Sequence, residues 1–282
     1  MRIMGAVRGT VYVVRPMMQA RRADDRKDDV TAPRTSAGDA ARTLALLWRS
    51  DTRTRKGPDR GLDVDSVVRA ATALADREGL DAVTMRRLAA NLGVATMTLY
   101  TYVPGKEELI DLMLDAAYRH LPRRDTTGQP WRQRLTAIAD ANRALFLAHP
   151  WAAGISTLRP PLGPGAMAKY EHELAALDGL GLTDLEMDDA LTFVLSFVQA
   201  NARAASDARA TRLSTAMDDE QWWAAHAPLL ARVLDEDAYP LATRIGTAAG
   251  AAHGAAYDPD HAYRFGLRRV FDGLAPLVDA PR

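Results

Sequence analysis

The sequence has no cysteine. Disulfide scaffolds, thiolate-held zinc and cysteine nucleophiles are thereby excluded. It also lacks any run approaching the roughly 18 uncharged apolar residues of a membrane helix. Near the start, Val11-Tyr12-Val13-Val14 is flanked by Arg8 and Arg15. That is too short for the roughly 7–15 apolar residues of a secretory signal. No signal and a cytoplasmic location are expected. Strand-period segments of useful length are missing too, and no repeat recurs at solenoid spacing. The six histidines are scattered, none with the H-x3-H spacing of a metal site. No metal and no cofactor are expected. Finally, there is no excess of either charge: 36 basic residues meet 36 acidic ones in 282. As an average, that neutrality argues against a nucleic-acid partner.

What is present is 48% apolar residues, ample for a packed core, in a length that suits one large or two ordinary domains. The charge is unevenly spread. Residues 1–62 carry 14 basic and 7 acidic side chains, residues 63–120 carry 6 and 9, and residues 121–282 carry 16 and 20. Residues 1–61 read as a basic, largely disordered extension, with a short helix over Ala40 to Trp48. Its end holds Arg49, Arg53, Arg55, Lys56 and Arg60. Residues 62–120 form one helical domain and residues 121–282 a second, larger one, so the fold class is all-α.

In residues 62–120 Val64, Val67, Val68, Ala71, Leu74 and Ala75 recur at helical spacing up to Gly79. Thr84 is a good N-cap for a second helix with Leu88, Ala89 and Leu92 inward. Gly93 ends it, a third short helix covers Ala95 to Thr101, and Pro104-Gly105 precedes a fourth over Lys106 to His120. Leu109, Met113 and Ala116 share one face of that helix. Further helices are expected at Trp131–His149, Gly165–Leu180, Asp184–Ala210, Asp218–Leu234 and Asp260–Val278, with a break over Gly246–Asp258.

Residues 84–101 have the pattern of a helix-turn-helix. Ala89 is small where the next helix crosses, and Gly93 supplies a positive φ for the turn. Val94 and Leu99 point back toward Leu88 and Leu92. With its flanks, L-D-A-V-T-M-R-R-L-A-A-N-L-G-V-A-T-M-T-L-Y-T-Y-V-P-G-K-E-E-L-I-D-L-M-L-D resembles the DNA-binding domain of the tetracycline-repressor (TetR/AcrR) family of bacterial regulators. Residues 131–278 resemble that family's tetracycline-repressor-like C-terminal domain through W-R-Q-R-L, H-P-W and F-G-L-R-R-V-F-D-G-L.

The resemblance implies a ligand-responsive regulator, a repressor binding a palindromic operator as a homodimer and released by a small apolar effector. It carries DNA contacts onto Thr84, Arg86, Thr96, Met97, Thr98, Tyr100, Tyr102 and Lys106. Arg86 is the candidate for a bidentate guanine contact, and Lys106 sits at a helix N-terminus that favours phosphate. Arg87 is either a phosphate contact or a solvated charge. The recognition helix has no Arg, Asn or Gln, so Arg53, Arg55 and Lys56 are expected to assist as a basic arm, with a plain linker as the alternative.

The resemblance also implies dimerisation through Asp184–Ala210 and Asp260–Val278, whose apolar coverage is wider than one stripe. Candidate effector contacts are Trp151, Phe193, Phe197, Gln199, Trp222, Trp223 and His226, each of which also suits plain core. No histidine set matches the magnesium–drug site of the tetracycline repressors proper. Two other classes stay open: a constitutive DNA binder, disfavoured by the acidic body, and a helical enzyme, for which no nucleophile, phosphate-loop or paired-carboxylate motif is present.

Overall fold

The computed structural model describes residues 40–50, 62–155, 159–254 and 257–279. Among them the chain is all helical, with twelve α-helices and no strand. The first, α1 (Ala40–Leu47), precedes the reading head and packs on it through Leu47. Helix α2 (Val64–Glu78) starts at Asp63, whose carboxylate accepts from Ser66 N while the Ser66 hydroxyl accepts from Asp63 N. This reciprocal cap satisfies two of the donors that every helix start leaves open. Gly79, at φ +83°, ends it, and a 3₁₀ turn over Leu80–Ala82 leads to α3 (Met85–Leu92).

Thr84 caps α3 by accepting from Arg87 N, and Gly93 ends it in the left-handed region at φ +70°. There only glycine is unstrained. Then come α4 (Thr96–Tyr102) and α5 (Lys106–Arg119). Val67, Ala71, Val83, Leu88, Leu99, Val103, Leu109 and Met113 close the head's core without solvent exposure. The expectation of one apolar face on α5 was too narrow, because every residue from Leu109 to Asp115 is buried. The cause is position: α5 packs on α2 with one side and on α8 with the other.

The larger part comprises α6 (Trp131–Ala148), α7 (Pro150–Ala153), α8 (Pro164–Leu174), α9 (Asp184–Thr215), α10 (Asp219–Leu230), α11 (Pro240–His253) and α12 (Pro259–Val278). Its core lies where α9 crosses α6 and α12. Leu135, Ile138, Val194, Val198, Leu267 and Phe271 meet there. Gly266 is required at that crossing, since a Cβ on it would stand 2.4 Å from the Phe197 ring.

Some boundaries differ from those the pattern suggests. Helix α8 ends at Leu174, not Leu180; the turns that follow need Gly179 and Gly181, both at φ +74°. Helix α9 runs on to Thr215 and α10 stops at Leu230. Pro150 opens a single-turn helix instead of only breaking one. The break expected over Gly246–Asp258 begins only at Gly254, φ +63°. Helix α11 passes through Gly246 and Gly250 because Pro240 starts it and alanine fills it. At Gly250 the Trp223 ring comes within 3.8 Å of where a Cβ would be.

Candidate nucleic-acid interface and effector cavity

The α3–turn–α4 unit presents its polar face outward. Leu99 is the buried residue of α4 and anchors it on the head. Around it, Met97 is 74% exposed and Tyr100 is exposed, while Thr96, Thr98 and Tyr102 are half-buried. Arg86 is exposed on α3. Lys106 is the first residue of α5, so its ammonium stands at the positive end of that helix. Thr84 is occupied in capping, but its exposed position leaves the hydroxyl's second lone pair open. Arg87 fits neither expectation cleanly: it pairs with Glu78 at the end of α2. Arg49 is likewise drawn onto the head, with Nη2 2.5 Å from Asp65 Oδ1. Arg53, Arg55, Lys56 and Arg60, with the rest of the basic stretch, lie outside the described residues.

Between α5, α6 and α8 lies a cavity of about 540 Å³. It exists because the facing stripe of α6 is alanine: Ala137, Ala141, Ala144 and Ala148. Leu121, Pro122 and Leu145 complete the apolar wall, and His120, His149, His172, Arg124 and Asp140 are its polar groups. Asp140 is occupied, accepting from the Tyr263 hydroxyl at 2.7 Å. Burial, then the hydrogen bond to Asp140 and the charge of that carboxylate, push the Tyr263 pKa far up, with Arg143 opposing them. Burial pulls the His172 imidazole below its ordinary value, favouring the neutral ring.

A buried polar set lies behind this wall, and sequence reasoning missed it. Lys169 Nζ donates to Glu173 Oε2 at 2.7 Å, and Asn142 Nδ2 donates to Glu173 Oε1 at 2.5 Å. Lys169 also sits 5.1 Å above the Tyr118 ring. Burial, followed by the Glu173 charge, drives the Tyr118 pKa well above its ordinary value. The i,i+4 spacing of Lys169 and Glu173 was the only sequence signal available.

The effector residues expected from sequence do not line this cavity. Trp151 is buried, and its Nε1 donates to Asp76 of α2 at 2.7 Å. Phe197 stacks on Tyr263 at 6.2 Å in the α9–α12 core. Gln199 ties α9 to α7 by donating to Ala153 O and Ile155 O at 3.0 and 3.1 Å. Phe193 is 53% exposed on the outer face of α9. Trp222, Trp223 and His226 do gather, with the Trp222 and His226 rings stacked at 4.2 Å, but on α10, which buries none of its residues. Among the described residues there is no cluster of three metal-ligating side chains, and no helix long and apolar enough to cross a membrane.

Comparison with known proteins agrees with this geometry. The profile described as "Bacterial regulatory proteins, tetR family" matches residues 67–113, and "Tetracyclin repressor-like, C-terminal domain" matches residues 122–278. The HTH-type transcriptional repressor DrrR1 of Streptomyces coeruleorubidus is 40% identical over 245 residues, 86% of this chain and 88% of the relative. The tetracycline repressor protein class E of Escherichia coli is 26% identical over 220 residues, 77% of this chain and 93% of the relative. Among solved structures, ActR of Streptomyces coelicolor in complex with actinorhodin superposes with a TM-score of 0.65 at 27% identity, covering 78% of this chain and 99% of that one. The fold and site define a helix-turn-helix transcriptional regulator. The chain belongs to the TetR family of bacterial regulatory proteins.

Proposed function

We propose that the chain is a cytoplasmic, homodimeric repressor that leaves a palindromic operator when a small molecule fills the cavity between α5, α6 and α8. The observation that carries this reading is the double burial of α5. One helix is at once a wall of the cavity and a support of the reading head. A relative described as a repressor, and a neighbour solved with a small molecule bound, support the same reading.

On DNA, Arg86 reads a guanine edge, and Met97 with the threonine methyls of α4 meets thymine methyls. Tyr100, Tyr102, Lys106 and Thr84 hold the backbone, and Arg53, Arg55 and Lys56 add an arm. Residues 1–61, 62–120 and 121–282 then serve as arm, reading head and effector domain. The dimer forms through α9 and α12, whose outer faces leave Phe193 and Phe265 exposed. Two-fold symmetry sets the operator's palindrome.

Nuclease footprinting on the chain's own upstream DNA tests this. A protected palindrome is expected. Arg86→Ala should cost about 1–3 kcal/mol on it and relax discrimination at one base pair per half-site. Protection without sequence preference would overturn the reading.

A further inference from the structure

His149 stands in the cavity wall and touches the reading head as well. Its Nδ1 lies 2.8 Å from Asp76 Oδ1, on the C-terminal half of α2, and Trp151 Nε1 donates to the same oxygen. A carboxylate only accepts, so the His149 proton sits on Nδ1. In the neutral ring Nε2 is then an acceptor, and it is the ring nitrogen left for a cavity ligand. His120 repeats the pattern: its Nδ1 faces Ala116 O at 2.7 Å, a carbonyl that also only accepts. The His149 and His120 edges of this cavity therefore ask the ligand for hydrogen-bond donors, while Arg124 beside them can only donate. The alanine wall of α6 asks for a flat apolar body.

Resting on the reading of this cavity as the effector pocket, we propose that His149 couples it to the reading head. Its Nε2 accepts a hydroxyl of a flat, hydroxylated aromatic effector while its Nδ1 holds Asp76. A hydroxyl donated to Nε2 polarises the imidazole and makes its Nδ1–H a stronger donor. The ring is then pinned from both sides, and α2 is pinned with it. Helix α2 packs on α3, so a reading head locked to the cavity wall loses the freedom to settle into the groove. His149 is thus a positioning residue that contacts the effector but not the duplex.

The test uses the full chain, the footprinted operator duplex, and a matched pair of probes, 2,6-dihydroxynaphthalene and 2,6-dimethoxynaphthalene. The diol should bind at least about fivefold more tightly, the worth of one retained hydrogen bond. An equal or weaker diol overturns the hydroxyl assignment. Saturating diol should weaken operator binding at least about fivefold, within the usual range of coupling. Diol that binds without loosening the operator overturns the coupling.

Asp76→Ala should still bind diol but lose that response. His149→Asn, whose amide can donate to Asp76 but has no second ring nitrogen, should bind diol about fivefold more weakly. Circular dichroism establishes that each variant is folded, and either variant alone decides if the other is not. Full coupling in Asp76→Ala, or undiminished diol affinity in His149→Asn, overturns the role of His149. Ala141→Trp separates this from the cavity reading itself. If a folded Ala141→Trp binds diol as the natural chain does, it is the cavity that is wrong.

Discussion

At the start of α2 one carboxylate does two jobs, since Asp63 caps the helix and sits where its dipole favours negative charge. The backbone N–H of Ser66, then its hydroxyl, hold the Asp63 pKa below its ordinary 3.8. A lowered folded value means the stabilisation is complete above the ordinary value and is lost as pH falls through the lower one. Asp63→Ala should therefore cost about 1 kcal/mol at neutral pH, the usual worth of an N-cap. In urea unfolding the gap from the natural chain should close on acidification below the carboxylate range; a pH-independent gap would contradict the cap. Caps of this kind are readable in sequence, as Thr84 was. The pairing of Arg49 with Asp65, and of Arg87 with Glu78, was not. Each joins residues from separate segments, and charge alone does not say which partner a long side chain finds.

Among the helices, α5 and α8 make the most extensive contact between the two halves, beside the link from α2 to Trp151 and His149. A Cβ on Gly165 would fall 2.0 Å from Asp115 O, and Asp115 Oδ1 accepts from Ala166 N at 2.9 Å. Asp115 thus satisfies a backbone donor at the start of α8 from another helix. Gly165→Ala should destabilise the chain by about 1–3 kcal/mol, as overpacking does, with the obstacle being backbone that cannot swing aside. Thermal unfolding measures it, with Gly246→Ala, which meets open space, as the comparison.

Helices α2 and α3 were legible because each carries its own start and stop, Asp63 and Gly79 on the first, Thr84 and Gly93 on the second. The double burial of α5 was not, since half its partners come from α8, far along the chain. The cavity was least legible of all. Aromatic residues such as Trp222 and Phe193 advertise a pocket, but this one is made by small side chains on α6, and an alanine stripe reads as ordinary helix.

For the whole molecule, large apolar side chains stand exposed along α9 to α12. No residue of α10 or α11 is buried, although Leu229, Leu241 and Ile245 are large, and Phe193 and Phe265 stand exposed on α9 and α12. Patches of this kind on a folded chain mark contact surfaces. In the proposed homodimer, association stabilises only the folded state, so the melting temperature should rise with protein concentration. Replacing Phe193 and Phe265 together by Asp should abolish that rise and the tight operator complex with it. A concentration-independent melting temperature in the natural chain would argue for a self-sufficient monomer. The exposed face carrying Phe193 and Phe265 also bears on how the cell counts its regulators. In the proposed homodimer, a copy without a partner would be both less able to occupy a two-fold site and, with that face open, more exposed to proteolysis. Synthesis rate would then set lifetime as well as number, and repression would steepen with abundance beyond what affinity alone provides.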